Sequence, residues 1–447
     1  MSLLVGGYYW GKVQEKPVQF FTLQRKPIEE VELKDETESI ELKFLNNKIE
    51  IPRQYTSYQA EITIHEDYFN GIGTIKYVHE FKTPTKQIRL QLPLNNQRNA
   101  YYMYLTKAFV NGEEVKMWQE AGKVDLLLGT ELHTGEEVTI GVEFQGNIEN
   151  LNEKNFYVYG MIPHVSVFKE GFGFAENNIG EDKPLEIGDY SISILLNKDK
   201  DVLCTGTLNE KVILPSGEVK YSYEAKKVRG IGVYIGDSLE EYELQDIGNT
   251  DVLVYTNRLV DKQKLRLLLQ EGFTYYESLL GSYPYDKIKI IDEPGEETLS
   301  IYPGIIVADL ERLYHTQEGI YEALGKQWIS YIIQHEAHSR FDLDTGLKDY
   351  LIKRKVHTLE TLEKYLLQNK KEEQEESLDS IQFFFQIEST VGTYEWEKFL
   401  REYYKKQAFK LSTYEDLMSV LLETTTINKI WLLEREGAIQ NEREELL

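Results

Sequence analysis

Near residue 250 the apolar residues of this chain change their period, and that change limits the folds open to it. From about residue 51 to 250 they alternate. Tyr58-Gln59-Ala60-Glu61-Ile62-Thr63-Ile64 and Ile88-Arg89-Leu90-Gln91-Leu92 both repeat every second residue, the period of a strand with one buried face. Asn111-Gly112 and Ser216-Gly217 are hairpin-turn signals, and Thr134-Gly135 leads into a strand over Val138 to Phe144. Beyond 250, Leu265 to Leu280 carries apolar residues at steps of three and four, which predicts a helix. Gly281-Ser282-Tyr283-Pro284-Tyr285 ends it, strands follow at Lys287 to Ile291 and Gly304 to Ala308, and amphipathic helices include Glu395 to Tyr404 and Ser412 to Leu422. The expected class is α+β: an antiparallel β-sandwich or saddle over residues 51–250, then a helix-rich part with a small sheet over residues 251–447. Residues 1–50, with the charged stretch Glu29 to Glu41, read as a lead-in packing on the β part. Lys370 to Glu376 reads as a solvated charged loop.

Charge and cysteine content exclude some functions. The 447 residues suffice for two or three domains with full cores. Fifty basic against 75 acidic residues give a net charge of −25, which argues against a nucleic-acid partner, since phosphate binding needs a basic face. The single cysteine, Cys204, forbids an intramolecular disulfide. That suits a cytoplasmic protein and equally an exported domain of a bacterium that avoids cysteine. The apolar run Ser2 to Gly11 is too short to span a bilayer, so no membrane insertion is expected. No secretory signal is visible, and the start Met1-Ser2-Leu3 reads as a vector scar, the chain then being a piece cut from something longer. No G-x-S-x-G elbow offers a serine nucleophile, and Cys204 falls in a predicted strand.

Two segments of the second part carry a motif at a defined spacing. The first is Tyr321-Glu322-Ala323-Leu324-Gly325-Lys326-Gln327-Trp328, and the second is Leu343-Asp344-Thr345-Gly346-Leu347-Lys348-Asp349-Tyr350, with Thr345 nineteen residues after Lys326. Together they resemble the gluzincin aminopeptidases, the aminopeptidase N family, which write H-E-x-x-H-Q-W and then N-E-G-x-x-x-Y at that spacing. Gly281-Ser282-Tyr283-Pro284-Tyr285-Asp286-Lys287 resembles the family's G-x-Y-P-Y-x-K junction. In the β part, Phe156 to Phe168 with Met161-Ile162-Pro163, Gly188-Asp189-Tyr190-Ser191-Ile192 and Cys204-Thr205-Gly206-Thr207-Leu208 resemble its W-x-P, D-Y-x-V-x-I and A-T-G-x-L strands, in the same order. The resemblance implies an aminopeptidase-like β domain followed by a thermolysin-like domain, without the large C-terminal helical domain of many relatives.

It also implies that the chemistry is gone. Zinc needs N, S or O donors from three side chains, and two His at i and i+4 bracket the general-base Glu. Here the two His positions are Glu322 and Lys326, the base is Ala323, and the third ligand is Thr345. Thr298-Leu299-Ser300-Ile301-Tyr302-Pro303-Gly304 matches G-x-M-E-N-P-G, with Ile301 in place of the amine-binding Glu. A looser match sets Ser377 or a neighbour at the transition-state Tyr. Glu322 and Lys326 stand in the favourable order for a helical ion pair. One reading puts the Lys326 ammonium at the zinc position, held by Glu322 and the Thr345 hydroxyl. The other leaves these as ordinary surface replacements.

The expected function is therefore a pseudo-peptidase, without cofactor, that binds a peptide or protein partner in the interdomain cleft. Tyr302, Pro303, Gly304, Glu322, Lys326 and Thr345 are the candidate lining. Relatives fused to permease segments imply a companion membrane permease subunit, and a soluble domain, cytoplasmic or extracytoplasmic, of a membrane-associated protein. The alternative is an active zinc aminopeptidase with a site displaced to His335 and His338. That pair forms H-E-x-H, spaced three rather than four. On the family frame it falls in the connection between the ligand helices, where a polar end facing solvent is the plainer expectation.

Overall fold

A computed structural model describes residues 55–428, apart from 97–100, 121, 149–150, 152–153, 176–184, 198, 245–246, 316, 337–341 and 370–375. The expected lead-in, its charged stretch and almost all of the Lys370 to Glu376 loop lie outside the described residues, and so does His338.

The β half is built on an eight-stranded sheet. Its order is Thr207–Ile213, Glu218–Val228, Gly188–Asn197, Thr56–Ile64, Tyr68–Val78, Glu137–Asn147, Met103–Val110 and Glu113–Glu114. A second sheet of four strands includes Thr85–Gln91 and Lys123–Leu132. One apolar cluster draws Tyr58, Ile62, Ile140 and Phe144 from the first sheet and Ile88, Leu90, Val124 and Leu126 from the second. The alternation read along the chain is what lets each strand give one face to this cluster. Asn111 and Gly112 both have positive φ, 51° and 87°, as a two-residue primed turn demands. The expectation of a purely antiparallel half needs one correction. Thr56–Ile64 runs parallel to Gly188–Asn197, because the chain leaves the sheet to build the four-stranded layer before it returns.

The second half has a five-stranded sheet, ordered Glu241–Leu244, Asp251–Tyr255, Lys287–Asp292, Ile305–Ala308 and Ser300–Tyr302. Eight helices accompany it among the described residues: α1 (Lys262–Leu279), α2 (Leu310–His315), α3 (Gln317–Trp328), α4 (Leu343–Val356), α5 (Leu359–Asn369), α6 (Glu376–Val391), α7 (Thr393–Gln407) and α8 (Tyr414–Thr424). α1 starts where the Asp261 side chain accepts from the Lys264 N–H, and it buries Leu265, Leu269, Phe273, Tyr276 and Leu279 along one stripe. Gly272 lets α3 approach closely, since a Cβ there would lie 2.5 Å from the Leu324 Cδ1.

The two halves meet through a three-stranded sheet, Asp201–Cys204, Gly232–Gly236 and Phe156–Tyr159, whose Tyr159 and Tyr234 join Tyr255, Ile291, Tyr302 and Ile305 in a common cluster. Lys289 pins the junction. Its buried ammonium donates to the Cys204 carbonyl at 2.8 Å and to the Gly206 carbonyl, and burial lowers its pKa to about 8. No helix among the described residues is long and apolar enough to cross a membrane.

Candidate functional site

The end of α3 is a structural joint. Gln327 is fully buried; its Oε1 accepts from the Gly304 N–H at 2.9 Å and the Tyr283 hydroxyl at 3.0 Å, and its Nε2 donates to the Tyr302 carbonyl at 2.8 Å. One side chain thus ties α3 both to the Tyr302-Pro303-Gly304 segment and to the turn after α1. Trp328 donates Nε1–H to the Gly281 carbonyl and packs among Phe273, Tyr276 and Tyr283. The Pro303 carbonyl accepts from the Thr205 hydroxyl at 2.8 Å, which fixes the same segment to the β half. Gly304 has φ +69°, a conformation that favours glycine.

In α4 the residues that match the motif are structural in the same way. A Cβ on Gly346 would lie 2.4 Å from the Ser380 Cβ, so glycine is what allows α4 and α6 to touch. The Tyr350 hydroxyl donates to the buried Glu388, which Arg354 grips through Nε at 3.0 and 3.1 Å.

The positions expected to lack chemistry lie on the same two helices and on the strand Ser300–Tyr302. Ala323 and Ile301 are 2% and 5% exposed and belong to the apolar core of the helical half. Tyr302 is buried, its ring stacked on Tyr159. The Glu322 carboxylate lies 4.0 Å from the ammonium of Lys348, which also reaches Asp349 at 3.2 Å. The Thr345 hydroxyl donates to Asp342 at 2.8 Å, within the N-cap in which Asp342 also accepts the Thr345 N–H. Lys326 is partly buried on α3. Lys348 was legible in principle. It stands three residues after Thr345, on the same face of α4, and its stem covers Gly325, 3.1 Å from where a Cβ would be. The side chain of Ser377 is not among those described.

His335 corrects the expectation of a solvent-facing polar end. It is 4% exposed, and its backbone bridges to Ser412. Nδ1 meets the Asp344 carboxylate at 2.5 Å, and Nε2 meets the Tyr403 hydroxyl at 2.7 Å, itself 2.7 Å from the Ser412 hydroxyl. Both ring nitrogens are occupied by protein partners. The neighbouring Glu336 turns the other way and forms an ion pair with Lys169 of the β half. Cys204 is buried and its thiol pushed up to about 12 by that burial, an unreactive state. Among the described residues, no three His, Cys, Asp or Glu side chains converge as a metal site.

Several cavities lie where the halves meet, and two of them bear on the expected cleft. One, of about 640 Å³, has Lys86, Arg89, Leu127, Lys169 and Phe172 on the β side and Glu336 and Leu411 on the helical side. The other, of about 320 Å³, includes Pro303, Gly304, Thr205, Tyr285 and Phe409. Of the six residues expected to line the cleft, only Pro303 and Gly304 belong to either of these two cavities.

Solved structures with this arrangement exist. A mutant M1 zinc metallopeptidase from Deinococcus radiodurans, bound to a Tyr-Ser-Ala substrate, superposes with a TM-score of 0.65 over 87% of this chain and 93% of that one, at 14% identity. The chain has the M1 metallopeptidase fold. The unmutated D. radiodurans enzyme matches with a TM-score of 0.62 at 14% identity, over 83% of this chain and 90% of its own. A mutant two-domain M1 zinc metallopeptidase bound to L-arginine matches with 0.63 at the same identity, over 87% and 94%. No protein-family model and no curated protein matches the sequence. The M1 fold here is therefore carried by a largely different set of residues.

Proposed function

We propose that this chain is a non-catalytic, aminopeptidase-like protein that binds a peptide or partner protein between its two halves. The observation that carries this reading is the environment of Ala323 and Ile301. On the family frame these would be the general base and the amine anchor, and both are packed into apolar core. A base must reach the proton it abstracts, and an alanine methyl in a core offers no acceptor. The other residues of the frame do not fit zinc. Lys326 brings a cation, the Thr345 hydroxyl is committed to Asp342, and Glu322 faces the Lys348 ammonium. One carboxylate beside an ammonium does not hold a dication.

An active site displaced to His335 and His338 would have to free a ring nitrogen of His335 from Asp344 or Tyr403 in a buried setting, which leaves a polar group unpaired. The partner is a peptide or a protein; a companion membrane permease subunit is the protein partner we favour, on the family resemblance alone.

The test is metal content by plasma mass spectrometry after zinc loading and dialysis, with hydrolysis of aminoacyl-coumarin substrates measured on the same sample. No retained zinc and no hydrolysis are expected. One tightly held zinc per chain with turnover would sink the proposal and direct mutation to His335 and His338.

A further inference from the structure

The larger interdomain cavity has features that specify a ligand. Its β-side wall is a hairpin, Phe168–Lys169 paired with Gly173–Phe174, whose tip presents Phe172 at 90% exposure. The ring offers an apolar face to the cavity, and the hairpin tip that carries it is tied down. The Glu170 carboxylate accepts from the Lys82 N–H at 2.8 Å and from the Thr83 N–H and hydroxyl at 2.9 and 2.5 Å. The Gly171 N–H donates back to the Thr83 hydroxyl, and the Phe172 N–H to the Lys169 carbonyl. Gly171 and Gly173 on either side take φ of +78° and +88°, so the tip is fixed by backbone as well. Leu127, 58% exposed, supplies a second apolar surface to the same cavity.

The charges lining the cavity oppose those of the whole chain. Lys86, Arg89 and Lys169 line it against one acid, Glu336, in a protein of net charge −25. Each cation has a partner. Arg89 is locked to Asp125 by two hydrogen bonds of 2.6 and 3.0 Å and is not available. Lys86 has only an exposed contact of 3.5 Å to Glu131, and Lys169 has Glu336 across the cavity. The Lys86 pair is exposed and of a kind that contributes little, and the Lys169 pair is half-buried. A ligand carboxylate that replaces Glu336 on Lys169 would also enter between the halves.

We propose that this cavity docks an acidic peptide segment with one large apolar side chain, which stacks on Phe172 and Leu127 while its carboxylates take Lys169 and Lys86. This rests on the reading of the interdomain region as a binding surface and gives that surface a place and a ligand class. The net charge does not prevent it, because at physiological salt the charges beyond about 8 Å are screened and the nearby lysines decide.

Fluorescence anisotropy of the full chain with three labelled peptides tests it: Glu-Glu-Phe-Glu-Glu, Glu-Glu-Ser-Glu-Glu and Lys-Lys-Phe-Lys-Lys. Only the first should bind well. Phe172→Ser and Lys169→Glu should each weaken it by about tenfold, the loss of one anchor contact, and Glu336→Gln should strengthen it. Phe172 is exposed, so its variant tests binding rather than folding. Preference for the lysine peptide, insensitivity to both weakening variants, or no binding of the first peptide would overturn the site. Mass spectrometry of the peptides after incubation separates the two readings. Binding with cleavage would sink the non-catalytic proposal and keep the cavity; no binding without cleavage would do the reverse.

Discussion

The last turn of α3 and the turn before it behave as two different regions. Gln327 and Trp328 are buried, and their polar atoms are paired to two other segments. Beside and before them on the same helix, Lys326 and Glu322 are partly exposed, and Ala323 between these two has no side-chain polar group to pair. Gln327, Trp328, Pro303, Gly304, Gly346 and Tyr350, residues that match the pattern read in the sequence, are the ones whose bonds and packing hold these segments together. The lesson is that a few residues of a motif can hold a fold while their neighbours differ.

The sharpest way to break this comparison is to attack the joint. Trp328→Ala should cost about 3–5 kcal/mol, the range for deleting a buried Trp, in urea denaturation. Gln327→Ala should cost a similar amount, since it strands the Gly304 N–H, the Tyr302 carbonyl and the Tyr283 hydroxyl at about 1–3 kcal/mol each. A loss below about 1 kcal/mol for both would mean that the joint does not hold α3 to these two segments.

Two of the buried histidines sharpen the comparison by pH. His335 has a side-chain partner on both nitrogens, whereas His164, fully buried beside Tyr58 and Tyr190, has no side-chain hydrogen-bond partner. Burial lowers the His164 pKa from 6.5 to about 3. Between those values the unfolded chain takes up a proton that the folded chain does not. Stability is therefore lost as pH falls from about 6.5 toward about 3, at up to roughly 1.4 kcal/mol per unit from this group. His164→Phe should flatten that part of the profile, and an unchanged slope would reject the assignment.

Smaller effects are expected on the α4 face. Asp342→Ala removes the N-cap and should cost about 1 kcal/mol. Thr345→Val should stay within about 0.5 kcal/mol, as for a half-buried site whose hydroxyl makes one local bond. A large Thr345 effect would show that this position still holds something the N-cap does not explain.

Much of the fold was legible in the sequence. The period-two strands, the helix over 265–280, the turn chemistry at Asn111-Gly112 and the helices flanking Lys326 and Thr345 all depend on interactions within a few residues, and the chain forms them as read. The frame was also legible, because nineteen residues separate Lys326 from Thr345 and the flanking Gln-Trp and Gly-x-x-x-Tyr residues are structural.

What the sequence by itself determined, then, was the local structure and the identity of the residues at the positions where chemistry would be expected. Only the tertiary structure decided whom those residues meet. It brought Lys348 of a neighbouring helix to Glu322, put His335 inside a cage of Asp344, Tyr403 and Ser412, and brought Lys169 of a β hairpin to Glu336 of a helical connection. The physical reason is range. Helix and strand periods are set by neighbours in the chain, while the partner of a side chain at an element's surface depends on which distant element packs against it.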